Sequence, residues 1–234
     1  MSPFVAEFLG STLLITLGQG VVANVVLPKT KGHGGGLISI CFGWAMAVFI
    51  ALYITAPISG GHLNPAITIA LAFLGRFEWA LVPSYILAQL LGSMLGSFIA
   101  WVLYRQHFNE ATNADDKLAC FATSAGIKST FHSFFSEALG TFVLVLACLL
   151  RTKGDAGLGS IDALPVALVI LAIGLGLGGV TGWAINPTRD LGPRIMHALL
   201  PIKGKGSSHW GYAWIPIAGP IVGSILACIL YQIL

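Results

Sequence analysis

Six apolar runs, at about 3–27, 35–56, 79–105, 130–151, 163–181 and 210–234, constrain this chain more than any other feature. A helix crosses a bilayer core with about 20 consecutive apolar residues, and each run approaches or exceeds that length. Polar punctuation separates them: Pro28 to Gly35, Gln106 to Ser129, Thr152 to Asp162 and Pro201 to His209. Six spans use roughly half of the 234 residues, which leaves connections but no second water-soluble domain. Composition agrees: 56% of residues are hydrophobic and 9% are Asp, Glu, Lys or Arg, against roughly 25% charged in a soluble domain. A soluble enzyme or nucleic-acid binder is excluded, and a net charge of +3 does not point to a polyanionic partner.

Two further apolar stretches, 64–75 and 186–200, are about half the length of a span. Each begins with Asn-Pro, Asn64-Pro65 and Asn186-Pro187. Asn is a strong helix N-cap and Pro is favoured at the first helical position, so both predict short helices that start inside the protein and do not cross. The chain also repeats itself. Ala6-Glu7-Phe8-Leu9-Gly10-Ser11 resembles Ser136-Glu137-Ala138-Leu139-Gly140-Thr141. Each Asn-Pro is followed by a run with spaced small residues, Gly92, Ser93 and Gly96 or Gly219, Gly223, Ser224 and Ala227, which let membrane helices approach closely. The unit is span, span, half-helix, span, written twice over about 1–105 and 130–234 within one transmembrane domain of residues 1–234. An odd number of spans inverts the second unit, so the two half-helices enter from opposite faces and their N-termini meet near the midplane.

A helix N-terminus carries about half a positive charge and free N–H groups. Two of them facing each other repel cations and orient a water chain oppositely on either side. Asn64 and Asn186 add side-chain donors there. The segments leading in, Ser59-Gly60-Gly61-His62-Leu63 and Thr181-Gly182-Trp183-Ala184-Ile185, must be extended. Non-helical backbone at membrane depth is tolerated where it lines a cavity, so the carbonyls of Gly60, Gly61, His62, Gly182, Trp183 and Ala184 are candidate acceptors for passing hydroxyl groups. Glycine permits the tight path at 60, 61 and 182.

The intramembrane charges are few. Arg189, one turn into the second half-helix, is a functional-site candidate by default, with the adjacent Asp190 as a local ion-pair partner. Glu7 and Glu137, one per repeat, are read as structural acceptors for the irregular loops; the alternative is a proton-coupled secondary transporter that uses them as carriers. His62 either lines the pore or braces its loop. His33, His107, His132, His197 and His209 lack metal-ligand spacing. Cys41, Cys120, Cys148 and Cys228 share no CxxC spacing and are read as packing thiols, and no cofactor is implied. The N-terminus does not read as a signal peptide, because Glu7 interrupts its apolar run and no basic region precedes it.

The two loops Ser59 to Ala66 and Gly182 to Asp190 resemble the paired signature loops of the aquaporin superfamily, and the likeness spans the chain. It implies an all-α membrane protein of six tilted spanning helices plus two re-entrant half-helices, one pore per subunit, a homotetramer in the lipid bilayer, and both termini in the cytoplasm at the plasma membrane. Asp190 after Arg189, and Pro216-Ile217 in the last span, resemble the glycerol-facilitator branch. Carried over by spacing from the asparagines, the selectivity filter falls on Trp44, Gly174, Trp183 and Arg189: two aromatic rings opposite a charged donor, with Gly174 leaving open the space that water channels fill with His. The central motifs fall on Asn64, Pro65, Ala66 and Asn186, Pro187, Thr188.

Two residues depart from the pattern. Thr188 replaces the usual Ala, and its hydroxyl is expected to bond back to the helix backbone. Trp183 stands where glycerol channels usually carry Phe, which adds bulk and an indole N–H. The implied function is a passive, bidirectional channel for glycerol and other small neutral solutes, among them dihydroxyacetone, neutral lactic acid and urea, and for water, with protons and ions excluded. The charge bias points the other way on orientation. Cytoplasmic termini place Arg76, Arg151 and Lys153 inside but Lys29, Lys31, Arg105, Lys117, Lys128, Lys203 and Lys205 outside, opposite to the positive-inside rule.

Overall fold

Most helix starts among the described residues carry a side-chain cap or a proline in the first turn. In a computed structural model, which describes residues 1–150 and 159–234, the described residues form nine α-helices and no strand. Ser2 caps α1 (Pro3–Val26) by accepting from the Val5 N–H. Helix α2 (Gly36–Ser59) stops at Gly60, whose φ of 84° is the left-handed conformation that ends helices. The first half-helix, α3 (Pro65–Phe73), is followed by a 3-10 turn at Trp79–Leu81 and by α4 (Val82–Glu110). A short helix, α5 (Ala114–Ala119), is capped by the Asn113 side chain. Then come α6 (Thr130–Leu150), a 3-10 turn at Gly159–Ala163, α7 (Leu164–Leu177), the second half-helix α8 (Pro187–Leu199) and α9 (Ile215–Ile233).

Five of these helices, α1, α2, α4 with its preceding turn, α6 and α9, are long and apolar enough to cross a membrane, and α7 is a shorter apolar helix. The sequence places the fifth span at 163–181, but α7 ends at Leu177. The chain breaks at Gly178 and Gly179 and swings back over α7, where the Trp183 ring packs against Gly174 and Gly178. The third span runs past its expected end at 105, because Gln106 to Glu110 is mostly polar but helix-compatible; Lys29 pairs with Glu110 there. The connection from Gln106 to Ser129 contains α5. Arg151, Lys153 and most of the connection from Thr152 to Asp162 lie outside the described residues.

The small residues are contact points. A Cβ on Gly92 would lie 2.3 Å from the Phe8 carbonyl oxygen, and one on Gly96 2.4 Å from that of Thr12, so α1 and α4 touch backbone to backbone. Gly223 does the same between α9 and α6, 2.0 Å from the Ala138 oxygen. Each half-helix also reaches across the repeat: α3 packs on α9, and α8 packs on α4. The outward faces carry exposed Leu, Ile, Val and Phe, as lipid requires. The buried interior holds both Glu7 and Glu137, each fully excluded from solvent.

Candidate functional site: a central passage between two half-helices

The half-helix N-termini are locked to one another. Asn64 caps α3, its Oδ1 accepting from the Ala66 N–H at 2.9 Å, while its Nδ2 donates to the Ile185 carbonyl at 2.8 Å. Asn186 caps α8, accepting from the N–H groups of Thr188 and Arg189 at 3.1 and 3.2 Å, while its Nδ2 donates to the Leu63 carbonyl at 2.8 Å. Each asparagine thus holds its own helix and the other helix's entry loop. A carboxamide has two N–H groups, and one on each side remains for a passing oxygen.

The entry loops take the path that half-helix entry demands. Gly60 and Gly61 have φ of 84° and 64°, and Gly182 has 86°. Leu63, Trp183 and Ile185 also adopt positive φ, at 50°, 37° and 44°, which costs about 1–2 kcal/mol per non-glycine residue. The carbonyls of Gly60, Gly61, His62, Gly182, Trp183 and Ala184 accept no hydrogen bond from another described residue.

Two buried carboxylates hold these strained loops. Glu7 accepts from Ser59 Oγ at 2.6 Å, His62 N–H at 2.9 Å, Leu63 N–H at 2.7 Å and Gln89 Nε2 at 2.8 Å. Glu137 accepts from Thr181 Oγ1 at 2.6 Å, Ala184 N–H at 2.9 Å and Ile185 N–H at 2.8 Å. The pattern repeats residue for residue at His62 and Ala184, and at Leu63 and Ile185. His62 both faces the cavity and braces its loop, with Nδ1 3.2 Å from Thr68 Oγ1 and its ring 4.7 Å from that of Phe77.

A cavity of about 450 Å³ runs along these elements. Its wall includes Trp44, Trp183 and Arg189, passes Asn64 and Asn186, and reaches Arg76 and Asp162. Gly60, Gly61, His62, Trp183 and Ala184 are on the wall; Gly182 is not. Arg189 is 9% exposed, and among the described residues its guanidinium makes no hydrogen bond. It stacks on Trp44, its Cζ 4.2 Å from the ring centroid. Trp44 in turn rests on Gly18, where a Cβ would come within 2.3 Å of the indole.

Two site residues make contacts that the sequence does not show. Gly174 is not on the cavity wall. A Cβ there would lie 3.0 Å from Trp183 ring atoms and 3.0 Å from Cys41 Sγ, so the space expected to be open is filled by the larger indole. Asp190 is not the partner of Arg189. It bonds Arg194 Nε at 2.7 Å and Nη2 at 2.9 Å, and accepts from the Thr123 N–H and hydroxyl at 2.7 and 2.6 Å. Neighbouring residues on a helix point apart, whereas i and i+4 share a face. Thr188 likewise differs from expectation: its hydroxyl donates to the Asn186 side-chain oxygen at 3.0 Å and not to the helix backbone.

Sequence reading missed Arg194, Gln89, Thr123 and Gly18. Arg194 is a second fully buried cation, and it ties α8 to the Ser208 and Thr123 carbonyls at 2.7 and 2.8 Å. Its position four residues after Asp190 is the signal that was available. Gln89 bonds Glu7 and Thr68, 82 and 21 residues away, and Thr123 bonds Asp190, 67 residues away; no sequence pattern marks these pairs.

Known proteins carry the same plan. Residues 1–231 match the family described as Major intrinsic protein. A probable glycerol uptake facilitator protein of Thermotoga maritima is 47% identical over 232 residues, 99% of this chain and 99% of that protein. A glycerol uptake facilitator protein of Streptococcus pneumoniae R6 is 48% identical over 235 residues, 100% of this chain and 99% of that one. Among solved structures, the aquaglyceroporin from Plasmodium falciparum aligns with a TM-score of 0.87 and 34% identity, covering 98% of this chain and 94% of its own.

Proposed function

The chain belongs to the major intrinsic protein family, an integral membrane family of channels and not of enzymes, and from that premise we propose that it is a passive, bidirectional pore for glycerol and other small neutral solutes. The observation that carries this reading is the pair of mutually clamped half-helix N-termini on the wall of one cavity, in a chain whose relatives are named glycerol uptake facilitators. Asn64 and Asn186, each followed by its proline and by Ala66 or Thr188, form the central donor pair. The carbonyls of the two entry loops accept solute hydroxyls in succession. Trp44 and Trp183 give a polyol's carbon edge an apolar wall, and Arg189, whose guanidinium has no hydrogen bond among the described residues, donates to its oxygens.

The same pore passes water, and dihydroxyacetone, urea and neutral lactic acid are candidate solutes. Protons and ions are excluded by the two half-helix dipoles, which repel cations and turn the water chain about the centre. Glu7 and Glu137 act as structural anchors. Their oxygens are occupied by four and three donors, and this supports anchoring over proton carriage. The working unit is a homotetramer in the plasma membrane with cytoplasmic termini, each subunit built from repeats of about 1–105 and 130–234.

Stopped-flow light scattering on proteoliposomes tests the reading. Glycerol entry well above that of empty vesicles, without current, is the expected result. Vesicles that pass no glycerol, or pass a proton current comparable with solute flux, overturn it.

A further inference from the structure

The two asparagines at the centre of the passage are not equivalent. Both Nδ2 groups donate to the opposite entry loop at the same distance, 2.8 Å. Their oxygens differ. Asn64 Oδ1 receives one donor, the Ala66 N–H at 2.9 Å. Asn186 Oδ1 receives three: the Thr188 N–H at 3.1 Å, the Thr188 hydroxyl at 3.0 Å and the Arg189 N–H at 3.2 Å. The hydroxyl exists because Thr188 stands where the first half-helix has Ala66. Thr188 is 2% exposed and is not on the cavity wall, so it acts only through its neighbour.

We infer that Thr188 is a positioning residue: its buried hydroxyl fixes and polarises the Asn186 carboxamide, and so tunes the pore centre for solutes that carry several hydroxyl groups. The argument has two physical parts. Three donors on Oδ1 and one acceptor on Nδ2 leave the amide a single orientation, so its second N–H points in one direction. Each bond accepted by the carbonyl also withdraws density from the amide nitrogen, which makes the remaining N–H a better donor by about 10–30% per bond.

A polyol and a water molecule feel this differently. Water rotates freely and can follow a donor that wanders. Glycerol presents hydroxyls at spacings set by its carbon chain, so it needs Asn64, Asn186 and Arg189 to keep a fixed mutual geometry. The hydroxyl of Thr188 therefore favours polyols over water. This deepens the channel reading above and rests on it.

The test uses full-length protein in proteoliposomes and compares Thr188→Ala with Thr188→Ser. Both variants lose the methyl group, and only Ser keeps the hydroxyl. Thr188→Ala is expected to lower the glycerol-to-water permeability ratio roughly two- to fivefold, the change one weak hydrogen bond makes, and to raise the activation energy of glycerol entry. Thr188→Ser is expected to restore both. A packing role would move Ala and Ser alike, so equal losses in the two variants overturn the inference. An unchanged ratio in Thr188→Ala, with glycerol passing as in the parent, overturns it while leaving the channel reading intact. A parent protein that passes no glycerol overturns both.

Discussion

Replacing Glu7 with Gln removes one oxygen from a carboxylate whose two oxygens each take two donors. Oε1 holds Ser59 Oγ and the His62 N–H; Oε2 holds the Leu63 N–H and Gln89 Nε2. Ser59 can turn its hydroxyl, and Gln89 can flip its amide. The two backbone N–H groups cannot, so whichever way the new amide lies, its NH2 faces one of them. That loses one charge-assisted bond, about 1.5–3 kcal/mol, and leaves a buried N–H unpaired, about 1–3 kcal/mol more. The sum is about 3–6 kcal/mol, concentrated on a loop that already holds Leu63 at a φ of 50°.

In a chain of this size, 1 kcal/mol shifts a midpoint by about 2–4 °C, so Glu7→Gln should melt at least ~6 °C below the parent in detergent, read by the temperature at which the monodisperse peak is lost. Glu137→Gln should fall by a similar amount, since its oxygens hold the Ala184 and Ile185 N–H groups in the same way. Passive glycerol flux per folded molecule should fall far less than yield. The reasoning fails if Glu7→Gln is as stable as the parent, and it fails more completely if that stable variant has lost an uptake that a proton gradient drives in the parent.

Gly174→His should displace the Trp183 ring into the passage, because even a Cβ lies 3.0 Å from it; glycerol and water entry should both drop, glycerol by ~10-fold, the scale of a modest overpacking penalty, and the Gly174→His/Trp183→Ala double variant should regain water before glycerol in the stopped-flow assay. Gly223→Ala places a methyl 2.0 Å from the Ala138 carbonyl and must push α9 off α6, at about 1–3 kcal/mol. Gly20→Ala, inside α1, meets nothing within 4 Å and should raise the melting temperature by about 1–4 °C, since Ala in a helix interior is favoured over Gly by about 0.5–1 kcal/mol. Asp190→Asn leaves the fully buried Arg194 without its carboxylate, at about 3–5 kcal/mol; a detergent melt that stays within a degree of the parent would show that the Ser208 and Thr123 carbonyls suffice.

Periodicity, caps and repeats carry much of this fold in the sequence. The apolar runs are long because a bilayer is thick, and Asn-Pro starts a helix wherever it falls, so α1, α2, α6 and both half-helices lie within a few residues of where the sequence puts them. Those are local effects, and local sequence determines them. The end of α7 at Leu177, the stacking of Arg189 on Trp44 and the pairing of Asp190 with Arg194 belong to another class. Spacing from Asn186 singles out Gly174, but the volume beside it is claimed by a ring from a loop nine residues away in sequence, Trp183. Which acceptor Thr188 finds depends on the rotamer that Asn186 adopts, and that rotamer is held by the Leu63 carbonyl, 123 residues away. The sequence by itself determined the membrane class and the two half-helices that start at Asn-Pro. Only the tertiary structure decided which buried polar groups pair, because partners that are close in space lie far apart along the chain.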